Sequence, residues 1–118
     1  MAFNSDQADR LRIALDRLPT PYEEKRMMGG LIIMVDDKMF CGVHTDKTTG
    51  EEVLMARIGP AALAACEADG SCTVMRLGGR PMQGFARIDA LASLSDDELD
   101  GWMQRCLAYN PQARRSKG

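Results

Sequence analysis

At 118 residues and 13.0 kDa the chain has room for one hydrophobic core and none for a second. Its 45% hydrophobic and 27% charged residues are ordinary for a folded soluble domain, which argues against disorder, collagen-like repeats and a coiled coil. Fifteen Lys and Arg against seventeen Asp and Glu leave a net charge of −2, too weak a field to gather nucleic acid or an anionic membrane by charge alone.

Asn4 to Leu18 carries Leu11, Ala14, Leu15 and Leu18 at helical spacing; Asn4 or Ser5 can cap it, and Pro19-Thr20-Pro21 forbids continuation. Leu31 to Val35 is a continuous apolar run, β-branched and too short for a buried helix, so it predicts a strand covered on both faces. Asp36-Asp37 suits the two-residue turn to a partner strand over Met39 to His44. After a polar loop, Val53 to Ile58 alternates as a third strand. Gly59-Pro60 opens a small-residue helix that Gly70 stops. Cys72 to Leu77 and Met82 to Asp89 read as a second strand pair across Gly78-Gly79-Arg80-Pro81, with an exposed tip. Ser95 to Tyr109 begins with a Ser95/Glu98 capping box and a Leu94/Leu99 staple, and Asn110-Pro111 ends it. The order helix, three strands, helix, two strands, helix predicts an α+β domain with an antiparallel sheet covered by helices on one face or at its ends.

The four cysteines, Cys41, Cys66, Cys72 and Cys106, form no C-x-x-C pair and read as reduced thiols. No basic leader precedes an apolar stretch, and no apolar run approaches the ~20 residues of a membrane span, so the expected compartment is the cytoplasm. The single histidine, His44, excludes multi-histidine metal sites. Cys41 and His44 are three apart on one strand and so face opposite ways, which argues against a thiol and base dyad. Zinc through Cys66, Cys72 and His44 would need a tertiary coincidence. Turn and cap account for Asp36-Asp37 and for the acidic run Asp96 to Glu98, and the Gly78-Gly79-Arg80 turn lacks the strand-to-helix setting of a phosphate loop. Arg114, Arg115 and Lys117 on a polar tail, without aromatic residues for stacking, read as a solvated end. Nine methionines, most of them in or beside predicted strands, suit either core filling or an adaptable partner groove.

Several ordered motifs resemble the TfoX/Sxy N-terminal domain family: Arg26-Met27-Met28-Gly29-Gly30, Asp37-Lys38-Met39, Cys41-Gly42-Val43, Leu54 to Pro60, and Gly79-Arg80-Pro81-Met82-Gln83-Gly84-Phe85. The resemblance spans roughly Tyr22 to Tyr109, includes Trp102, and looks most like the standalone members. Met28 stands where the family usually has Phe, a swap that keeps a long apolar group. The resemblance implies a secretion-chaperone-like α+β fold and supplies no catalytic residues. Full-length members, which carry a further C-terminal helical domain, are associated with regulation of natural competence.

The domain is thus expected to comprise an N-terminal helix and Pro linker (1–21), the family-like body (22–110) and a mobile polar tail (111–118). The expected function is a non-enzymatic cytoplasmic regulatory or adaptor role through contacts with an unknown protein partner; the alternative is a small-molecule or nucleotide-binding domain. Arg26, Met27, Gly29, Gly30, Arg80, Pro81 and Met82 are the expected partner surface. No metal, cofactor, disulfide, membrane contact or sequence-specific DNA binding is expected, and a homodimer is a possible state because such domains expose sheet edges.

Overall fold

In the computed structural model, which describes residues 3–27 and 29–113, the Asn4 side chain accepts the N–H groups of Asp6 and Gln7 and starts helix α1 (Ser5–Asp16). There follow strands β1 (Glu23–Met27), β2 (Gly30–Val35), β3 (Lys38–Thr45) and β4 (Glu52–Arg57), helix α2 (Pro60–Asp69), strands β5 (Thr73–Leu77) and β6 (Arg80–Ile88), and helix α3 (Asp96–Tyr109). Met28 and the tail cations Arg114, Arg115 and Lys117 lie outside the described residues. Asn110–Gln112 forms a 3-10 turn in which Pro111 and Gln112 are exposed, and Ala113 beyond it is buried.

The six strands form one sheet in the order β1-β2-β3-β4-β6-β5, with every neighbouring pair antiparallel. The α+β layout is the one the sequence predicts, with β1 added at the edge. Four of the five β1 residues, Glu23 to Arg26, are exposed, so the strand carries no apolar alternation to announce it. Charges on an edge strand also deter pairing with another chain. The Asp36-Asp37 and Gly78-Gly79 turns both have paired positive φ (55° and 60°, 59° and 80°), the geometry that matches the twist of a two-residue hairpin.

Leu31, Ile33, Cys41, Val43, Leu54, Ala56, Ala86 and Ile88 face the helices and build the main core with Leu11, Leu15, Leu99, Trp102 and Met103. On the other face Ile32, Met34, Met55, Met75 and Phe85 are also buried, although none of the described helices packs into their cluster. The sheet curls over its own surface: Ile32 of β2 and Met75 of β5 line one small slot. These strands are four places apart in the sheet, ~19 Å if it were flat. Register shifts in the β2/β3 and β5/β6 pairs supply local bending. β2 is therefore dry on both faces, as its unbroken apolar run predicts.

α3 opens with the predicted capping box: Ser95 Oγ accepts the Glu98 N–H, and Glu98 Oε1 accepts the Ser95 N–H. α1 lies alongside α3. Arg10 donates to the Leu91 and Leu94 carbonyls and to Asp96, and Arg17 pairs with Asp100 at 2.6 Å. At the opposite end of α3, Lys38 donates to the Asn110 carbonyl and Asn110 Nδ2 donates to the Val35 carbonyl.

Candidate functional site

Strand alternation splits the Arg26-Met27 pair between the two faces of the sheet. Arg26 lies 5.5 Å from the centroid of the Phe3 ring, whereas Met27 packs on the methionine-lined face with Met39, Met82 and the buried Met34, Met55 and Met75. Met27 and Met82, from two distant sequence motifs, thus meet one cluster. Gly29 supplies a turn at φ +73°. Gly30 permits close strand approach, since a Cβ there would overlap the Val43 carbonyl oxygen and lie 2.8 Å from His44 Cβ. Arg80 and Pro81 are exposed on the outer half of β6, which pairs with β5 alone; β4 takes up pairing only from Phe85 onward. In this two-stranded ribbon Pro81 interrupts no ladder to β4, and Leu77 stands 51% exposed. The Arg57 guanidinium closes the base of the ribbon, 4.9 Å over the Phe85 ring and donating to the Met39 carbonyl.

The other end of this face is polar. Arg87 binds Asp46 at 2.7 Å and Asp89 at 2.8 Å. Asp46 also accepts the N–H groups of Thr48 and Thr49, and the Arg87 contact above all pulls its carboxyl down to about 2. His44, half-buried beside this network, has its pKa lowered by desolvation and then by Arg87, which favours the neutral imidazole. Cys41 lies on the opposite face, its thiol 3.8 Å from Met103 Sδ and its pKa driven well up by burial. The structure thus separates Cys41 from His44 as strand geometry requires.

A cavity of about 330 Å³ opens between the start of α2 and the end of α3, lined by Ile58, Pro60, Ala62, Arg105, Tyr109 and Gln112 among others. Arg105 spans from this opening to the Trp102 ring (4.4 Å) and to Cys66 Sγ (3.3 Å). At the C-terminus of α2 the Ser71 N–H bonds the Cys66 carbonyl and the Gly70 N–H bonds that of Glu67, with Gly70 left-handed. This Schellman closure ends α2 between Cys66 and Cys72, both of which are buried in the main core. Burial pushes Cys72 up to about 12. Among the described residues no group of three or more His, Cys, Asp or Glu is placed to hold a metal ion.

Six antiparallel strands, three helices on one face and a methionine-lined second face define an α+β domain whose chemistry-bearing side chains are dispersed and whose apolar side chains converge. The TfoX N-terminal domain family model matches residues 14–109, and the chain belongs to that family. Searches of curated proteins and of solved structures each return no significant match. None of the described helices is long and apolar enough to cross a membrane.

Proposed function

We propose that this domain is a non-enzymatic regulatory or adaptor module of the cytoplasm that works by docking a partner protein. The observation that carries the reading is the convergence of Met27, Met39 and Met82, all partly exposed, at the edge of a buried methionine cluster. Thioether side chains repack cheaply and suit surfaces that accept a partner. The β5/β6 ribbon beside them offers Leu77, Arg80 and Pro81 to solvent, an apolar and cationic tip of the kind interfaces use. The unpaired state of all four cysteines supports a reducing compartment. Family membership supports a regulatory role, including one in transcription or competence. Recovery of partners from lysate by the native chain, by Arg80→Ala and by Leu77→Ser tests the surface. Both substitutions should reduce recovery without moving the melting temperature, and undiminished recovery by the two folded variants would remove this face from consideration.

The cavity at the α2/α3 junction favours a second reading, a small-molecule or nucleotide site. Its wall is largely apolar, and Arg105 and Tyr109 supply polar groups that could orient an acidic ligand. A thermal-shift panel of metabolites and nucleotides separates the two readings, because a reproducible shift abolished by Ala62→Trp, with no partner recovered, selects the cavity. Light scattering settles whether a second copy is the partner.

A further inference from the structure

Taking the cavity at the α2/α3 junction as the small-molecule site of the second reading above, we propose that its ligand is a small apolar monocarboxylate. The Arg105 guanidinium holds the carboxylate, and the carbon body lies along the wall made by Ala62 and the Tyr109 ring.

Charge defines the head of the ligand. Arg10, Arg12, Arg17 and Arg87 are each neutralised by a carboxylate, whereas among the described residues none pairs with Arg105. Arg105 is also the only charged side chain in the cavity lining. Its position is nonetheless fixed: the guanidinium stands 4.4 Å from the Trp102 ring centroid, and Nη1 donates to Cys66 Sγ at 3.3 Å. A thioether or thiol sulfur is a weak acceptor, so the contact orients the group without consuming its charge. The rest of the planar fork has no protein acceptor among the described residues, and that fork matches a carboxylate with two parallel bonds.

Shape and polarity define the body. Ile58, Pro60, Ala62 and Ala108 give the cavity an apolar wall. Tyr109 stands one turn beyond Arg105 on α3, and its ring lies against the backbone of Gly59, where an added Cβ would overlap it. Gly59 also takes φ +90°, a conformation open to glycine, so the ring keeps its place in the wall because this position has no side chain. The volume of about 330 Å³ stands at the lower end of the ~300–1,000 Å³ of small-molecule sites, enough for one ring or a short alkyl chain. A single cation balances a single negative charge. A nucleoside triphosphate would bring several charges to a wall that is mostly apolar and has one positive group to meet them.

The folded full-length chain is titrated at neutral pH with phenylpropanoate, octanoate, the uncharged phenylpropanamide and ATP, followed by amide spectra. The two acids should bind with a Kd of about 1 mM or tighter and shift resonances of Ile58 to Ala62 and Arg105 to Gln112. Phenylpropanamide, which lacks the charge, should bind at least about tenfold more weakly than phenylpropanoate. Arg105→Gln, with an unchanged melting temperature, should weaken phenylpropanoate at least about tenfold and leave phenylpropanamide as it was, and Arg105→Lys should regain part of the loss. Ala62→Trp should abolish binding of both. Shifts of the cavity resonances by ATP but by neither acid would overturn the ligand class and leave the small-molecule reading of the cavity standing, whereas silence with all four probes would remove both. Equal affinity for acid and amide, or for the native chain and Arg105→Gln, would take the guanidinium out of the site. Acid binding that survives Ala62→Trp would place the ligand elsewhere and overturn the proposal.

Discussion

Lys38 Nζ lies 2.9 Å from the carbonyl oxygen of Asn110, with the lysine only 7% exposed, and Asn110 Nδ2 returns a bond of 3.3 Å to the Val35 carbonyl. The β2/β3 turn and the C-terminal end of α3 are thereby clasped from both sides. The ammonium also faces Asp36 at 3.4 Å and stands where the helix dipole favours a cation.

Lys38→Met should therefore lower stability by about 1 to 3 kcal/mol, because it strips a charged donor from a buried carbonyl. Asn110→Ala should cost a similar amount, and the double variant less than the sum by about 0.5 kcal/mol or more. Denaturant titrations of the four proteins check this, and strict additivity would mean that the two bonds do not act as a unit.

The adjacent glycines of the Arg26 to Gly30 motif should respond differently to alanine. At Gly29 an added Cβ meets nothing within 4 Å, so only the positive φ is penalised, by about 1 kcal/mol. At Gly30 the Cβ runs into β3 backbone, and overpacking should cost about 1 to 3 kcal/mol with the β2/β3 register disturbed. Melting temperatures rank the pair, and amide spectra show whether the Gly30→Ala shifts concentrate in β3.

Arg80→Ala should leave stability within about half a kcal/mol, because its side chain is exposed, while weakening partner capture. Gly79→Val should damage both, since a β-branched residue resists φ +80° in the turn that sets the ribbon.

Two groups give stability a pH dependence of known sign. His44 titrates below its ordinary 6.5 in the folded chain, so its stabilising effect is full above 6.5 and is lost as pH falls through that value toward the lower folded pKa. Asp46, held at about 2 against 3.8, adds a second loss as pH falls from about 4 to about 2. His44→Gln should flatten the first limb and Asp46→Asn the second in melting temperatures measured from pH 7.5 to pH 2. Unchanged limbs would show that other groups carry the acid sensitivity.

Apolar periodicity made α1, β2 and α3 legible, and turn chemistry made the Asp36-Asp37 hairpin legible; the second hairpin was expected to turn over Gly78 to Pro81, whereas Arg80 and Pro81 already pair with Leu77 and Arg76 as the start of β6. β1 was hidden because an edge strand needs backbone partners more than apolar side chains, and Glu23 to Arg26 carry none. The burial of Lys38 was equally hidden, since its partner is a carbonyl 72 residues away. Methionine abundance pointed to a shared face, but the dryness of that face comes from the curl of the sheet, which depends on register shifts that composition does not encode.

The seating of α1 on α3 has a kinetic side. Most strand neighbours are joined by short turns and can zip from nearby residues, but Arg10 finds the Leu94 carbonyl 84 positions along the chain and Arg17 finds Asp100 83 positions along. Such closure orders a long loop before any contact rewards it. Helix α1 is therefore expected to dock after the β2/β3/β4 meander has assembled and to detach before the meander opens. Its amide protons should exchange through a sub-global opening while those of β2 and β3 await complete unfolding.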